Sequence, residues 1–97
     1  MEKYTIDLKN ITTKDQFHDE ISRTLQFPEY YGRNLDALHD LISTMYIGKR
    51  VQFDFVGVNT LPTELQDYCS KAVNIFTRVS KETYKTSDSS IFIVNKS

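Results

Sequence analysis

The stretch Phe27-Pro28-Glu29-Tyr30-Tyr31-Gly32-Arg33-Asn34-Leu35-Asp36-Ala37-Leu38-His39-Asp40 sets the reading of the whole chain. Pro28 discourages helix at Phe27. Gly32 permits a positive φ or a close backbone approach. Residues 27–34 therefore read as a loop carrying two adjacent tyrosines. Asn34 is a good helix cap, and Leu35, Leu38, Ile42 and Met45 follow at helical spacing. The pattern predicts a helix from about Leu35 to Met45. Its opposite side presents Asp36, Asp40 and Ser43. Two carboxylates four residues apart repel and cost a helix roughly 0.2–0.5 kcal/mol. Asp36 offsets part of this by lying near the positive helix N-terminus, whereas Asp40 gains less. A local cost with no local gain points to a site; two solvated aspartates on a polar face are the bland alternative. The tyrosines bear on that choice, because tyrosine supplies rigid, amphipathic contact area at interfaces. One of them, Tyr31, can instead anchor the loop to the core.

Upstream, Tyr4, Ile6 and Leu8 alternate, so residues 3–8 read as a strand. Thr13 offers a cap with Gln16 three residues on, as in a capping box. Phe17, Ile21 and Leu25 then recur at helical spacing, which predicts a first helix over 14–25. Downstream, Gly48 ends the second helical region. Residues 50–56 alternate as a half-buried strand closed by Gly57. Thr60 and Pro62 mark the next helix start. Leu65, Tyr68, Cys69, Ala72, Val73, Phe76 and Val79 form the cleanest amphipathic stripe in the chain. The nearly all-apolar run 90–94 suits the buried middle of a sheet. Helical connections between strands favour parallel pairing. The expectation is an α/β fold, a three-stranded, mainly parallel sheet packed against three to four helices, in one domain over 1–97. There are no repeats, low-complexity segments or linkers.

A length of 97 residues, 39% hydrophobic and 26% charged, suits an ordinary globular domain. The net charge of −1 argues against generic nucleic-acid binding. Its distribution is uneven. Residues 13–44 hold Asp15, Asp19, Glu20, Glu29, Asp36 and Asp40 against Lys14, Arg23 and Arg33. Residues 71–97 hold Lys71, Arg78, Lys81, Lys85 and Lys96 against Glu82 and Asp88. The first half could face a basic partner; a solvated, mixed-sign surface is the other reading. The lone cysteine, Cys69, excludes an intramolecular disulfide and a four-cysteine zinc site, and its place in the apolar stripe points to core packing. The N-terminus has no apolar run of signal-peptide length, and no stretch approaches the ~20 apolar residues of a membrane span. A cytoplasmic location without membrane attachment is expected.

Asp36, His39 and Asp40 have a spacing compatible with a metal site, but no second histidine lies nearby in sequence, and a surface histidine is the simpler role. The carboxylate pair could also suggest acid–base catalysis, yet nothing marks a substrate pocket. Phosphate-binding loops, dinucleotide fingerprints and nucleophile elbows are missing. Neither a cofactor nor a metal is expected.

The pattern P-E-Y-Y-G-x-N-L-D-A-L-x-D over residues 28–40 closely resembles the barstar family. Chain length and element order match across nearly the whole sequence. Outside residues 27–43 the similarity is one of pattern. The resemblance implies a barstar-like fold. It also implies a 1:1 complex with a secreted, guanyl-specific ribonuclease of the barnase type, from which the producing cell is protected. In that family the loop and second helix plug the enzyme's basic active site. Carried over by motif, Tyr30 would pack over the substrate-binding region, and Gly32 and Asn34 would shape and contact at the loop. Asp36 would meet basic residues at the cleft edge. Asp40 would occupy a substrate-phosphate position. Ser43 lies where the family has a small hydroxylated contact residue, and Leu35 and His39 fall in the same partner-facing set. Two positions depart from the pattern. His39 stands in place of a tryptophan. Arg78, by ungapped alignment of the third helix, stands in place of an interfacial glutamate. Two further readings stay open: an immunity or adaptor protein of the same fold that neutralises a different toxin, and a small enzyme using Asp36 and Asp40.

Overall fold

Strand β1 (Glu2–Asp7) leads into helices α1 (Lys14–Leu25) and α2 (Leu35–Met45), then β2 (Arg50–Val56), α3 (Thr63–Thr83) and β3 (Ile91–Lys96). This is a computed structural model, and it describes residues 2–46, 49–83 and 91–97. Gly48 and Ser90, expected at element boundaries, lie outside the described residues. The expected elements are all present. A single turn of 3-10 helix over Val58–Thr60 was not anticipated. The three strands form one sheet in the order β1-β2-β3, with both neighbouring pairs parallel.

One expectation is corrected. The apolar run near the C-terminus predicts a central strand, but β2 holds the centre and β3 is an edge. Each chain crossover begins or ends at β2, which leaves β3 with one neighbour. The apolarity of β3 has a different cause. Phe92 is buried and Val94 packs against the core, whereas Ile93 is 40% exposed on the opposite face.

The sheet is covered on one face. Val51, Phe53 and Phe55 of β2 are buried, while Gln52, Asp54 and Val56 between them are partly exposed. The open face is stabilised by polar pairing across the strands. Asp54 accepts hydrogen bonds from Gln52 at 3.0 Å and from Asn95 at 3.0 Å, and Lys3 lies 3.6 Å away. These groups and the Lys3 cation hold the Asp54 carboxyl below its usual pKa.

The covered face is an aromatic core. The ring of Phe53 lies 4.7 Å from Phe76, 5.3 Å from Phe92 and 5.5 Å from Tyr46, each at a steep edge-to-face angle. Such geometries add to simple burial. Gly57 ends β2 at φ 77, where a Cβ would come 2.8 Å from the backbone nitrogen of Lys9. Only glycine fits both the conformation and the space. Cys69 is buried in the α3 stripe, and burial pushes its thiol pKa up, as expected of a packing residue. Among the described residues no helix is long and apolar enough to cross a membrane.

Candidate partner-binding site

Three anchors fix the loop between α1 and α2. The first is Tyr31, which is buried and packs edge-on against Phe27 with ring centroids 4.8 Å apart. Its hydroxyl lies 2.6 Å from Nδ1 of His18, and the hydroxyl of Tyr68 lies 2.6 Å from Nε2 of the same ring. His18 is 1% exposed. A neutral imidazole has one donor and one acceptor nitrogen, so one tyrosine donates to the ring and the other accepts from it. The bridge ties α1, the loop and α3 together. Burial lowers the His18 pKa, and the Arg33 cation lowers it further.

The second anchor is Arg33. It has φ 56, a left-handed conformation uncommon for a residue with a Cβ. Its guanidinium donates to the Asp19 carboxylate and, at 2.9 Å, to the Asp15 carbonyl. Hydrogen bonding to Arg33 depresses the Asp19 pKa. Within residues 27–34 the left-handed residue is thus Arg33, as Gln26 is where α1 ends. Gly32 serves the other expected purpose, close approach: a Cβ there would meet that of Ala37 at 3.2 Å.

The third anchor is Asn34, the α2 cap. Its side-chain oxygen accepts from the Ala37 N–H at 2.8 Å, and its amide donates to the Gly32 carbonyl at 3.2 Å. One side chain therefore starts the helix and closes the loop.

On this support the expected site residues take distinct places. Tyr30 is 80% exposed, unlike its buried neighbour Tyr31. Asp36 is exposed, and the Asp40 side chain is 85% exposed. At 3.6 residues per turn, positions four apart lie about 40° apart around the axis, so the two carboxylates share one ridge. Ser43 continues that ridge, but its hydroxyl donates to the Asp40 carbonyl at 3.0 Å. The buried side of α2 is Leu38, Leu41 and Ile42, with Leu35 and Met45 only partly covered.

The ridge separates two depressions. One, of about 280 Å³, is bordered by Tyr30, Tyr31, Gly32, Ala37, Asp40 and Leu41. It brings the exposed tyrosine and the second carboxylate to one concave surface. The other, of about 450 Å³, lies between α2 and α3 and is lined by Leu35, Asp36, His39, Lys71, Ile75 and Arg78. The Nδ1 atom of His39 is 4.0 Å from the Asp40 carboxylate. Among the described residues no three His, Cys, Asp or Glu side chains converge as a metal site requires.

A protein-family model described as Barstar (barnase inhibitor) matches residues 1–95. The chain belongs to the barstar family. Its wholly parallel three-stranded α/β architecture is the one that the barstar-like pattern implies. A Bacillus subtilis (strain 168) protein named "Putative ribonuclease inhibitor YrdF" is 44% identical over 43 residues. The alignment covers 44% of this chain and 47% of that relative, so it spans about half of each.

Two supporting residues of this barstar-family chain were missed from sequence alone. His18 falls with Phe17, Ile21 and Leu25 on the buried side of α1. A polar residue on an apolar stripe is the sequence signal for such a buried hydrogen bond. Arg33 left no such signal, because its partners Asp15 and Asp19 are distant in sequence.

Proposed function

We propose that this barstar-family chain inhibits a microbial ribonuclease, of the secreted, guanyl-specific barnase type, by occupying its active site in a 1:1 complex inside the producing cell. The observation that carries the reading is the exposed ridge of Asp36 and Asp40, with Tyr30 beside it, on a loop and helix held by three independent anchors. A ribonuclease must gather positive charge to bind the RNA backbone. Carboxylates on a rigid helix can meet that charge with little ordering cost at the moment of binding. Tyr30 offers a flat, exposed ring where a base would stack. Exposed carboxylates on a convex ridge suit blockade better than catalysis, which calls for a carboxyl group enclosed in a pocket with its substrate.

The test is titration of ribonuclease activity across a panel of microbial enzymes, barnase included. At least one enzyme is expected to be fully inhibited at equimolar protein. Asp40→Ala is expected to weaken that inhibition by about 2 kcal/mol or more, the threshold of an interface hot spot, or roughly thirtyfold. Glu64→Ala, at the start of α3, is expected to change it little. Equal losses from both variants, or no inhibition of any enzyme, overturn the proposal.

A further inference from the structure

The groove between α2 and α3 is basic where the adjoining ridge is acidic. Lys71 and Arg78 lie seven residues apart on α3, about two turns, and so project from one face. Both are exposed, and both line the groove opposite Asp36 and His39. Lys71 lies 3.5 Å from Asp67, one turn earlier on the same helix. Among the residues whose side chains the structure describes, Arg78 has no carboxylate within ion-pair distance. Asp36 belongs to the ridge and to the groove alike, so a body that covers the ridge also reaches α3.

A uniformly basic partner would be attracted at Asp36 and Asp40 and repelled at Arg78. We infer that the partner ribonuclease carries an acidic side chain on the rim of its basic cleft, which pairs with Arg78 in the α2–α3 groove and selects which enzyme is inhibited. The inference rests on the inhibitory reading of the ridge. Charge at an interface rim acts mainly on partner choice and encounter rate, and a like-charge contact there rejects wrong partners. Enzymes with basic rims are discriminated against by the same arginine.

The experiment uses the panel enzyme that the unmodified chain inhibits most tightly. Exposed ion pairs contribute modestly, so Arg78→Ala is expected to weaken inhibition about threefold and Arg78→Glu about tenfold or more. Acidic residues on that enzyme's cleft rim are then changed to lysine one at a time. One of these enzymes is expected to be inhibited by the Arg78→Glu chain within a few-fold of the original pair. Circular dichroism and urea unfolding verify that the variants remain folded. The inference is overturned if Arg78→Glu inhibits the original enzyme as well as or better than the parent. It is also overturned if no lysine substitution restores inhibition. Asp40→Ala, run in parallel, separates the two readings. Sensitivity at Asp40 without sensitivity at Arg78 removes this inference alone, whereas insensitivity at Asp40 removes the inhibitory reading and this one with it.

Discussion

His18 shows how one side chain links the core to the loop of the candidate site. Its two ring nitrogens are both engaged by tyrosine hydroxyls, and burial disfavours its charged form. The cations Lys14 and Arg33 lower its pKa, while Asp15 and Asp19 raise it. The net direction is down from 6.5, so the folded chain holds the ring neutral where the unfolded chain has begun to protonate it. With more protons on the unfolded state, stability rises with pH in that window. The contribution is therefore complete above pH 6.5 and is lost as pH falls below it toward the folded pKa. Asp19 and Asp54 have depressed values and act lower, from about their ordinary 3.8 downward. Between pH 7.5 and 5.5 the urea midpoint of the native chain is expected to fall. His18→Gln, which can still donate and accept a hydrogen bond, is expected to be less stable at pH 7.5 but flatter across the range. Parallel pH profiles for the two proteins would remove His18 as the titrating group.

At the scale of elements, α1 and α2 were legible in the sequence to the residue because each carries its own boundary. Thr13 accepts from the Gln16 N–H at 3.1 Å, and Asn34 accepts from that of Ala37 at 2.8 Å. Both caps sit directly before an apolar stripe, so the local and tertiary signals agree. The sheet order was less legible, since a run of apolar residues reports burial and not neighbours: β3 owes its apolarity to α3 on one side and exposes Ile93 on the other. Among the candidate site residues, the exposure of Asp36 and Asp40 followed from helical periodicity. The anchoring of Tyr31 could be suspected but its partners could not, because His18 and Tyr68 are brought to it by the fold. The double role of Asn34 yields a prediction specific to this element. Asn34→Ala removes both bonds and is expected to cost about 1 kcal/mol in urea unfolding, a usual value for a lost cap. Asn34→Asp keeps the acceptor for Ala37 and loses only the donor to Gly32. It is expected to recover most of the stability. An aspartate variant as unstable as the alanine one would mean that the cap is not what Asn34 contributes.

For the molecule as a whole, net charge is a poor guide to its field. The total is only −1, and a body so nearly neutral should steer a charged partner weakly at long range. The local arrangement differs, with two exposed carboxylates on one ridge and two cations across the neighbouring groove. Their fields oppose each other at a distance and separate only near contact. Salt should therefore act through the ridge, over lengths comparable to its own dimensions. The screening length shrinks from about 10 Å at 0.1 M to about 3 Å at 1 M salt. Association with an inhibited ribonuclease, followed by stopped-flow fluorescence, is expected to slow roughly tenfold over that range, with dissociation changing less. Asp36→Asn combined with Asp40→Asn should flatten the salt dependence, since it removes the charge nearest the partner. Glu64→Gln makes a smaller change of the same sign on α3 and should leave the slope nearly intact. If both changes altered the slope in proportion to net charge alone, the encounter would be governed by the overall charge of the chain, and the ridge would lose its special place in the mechanism.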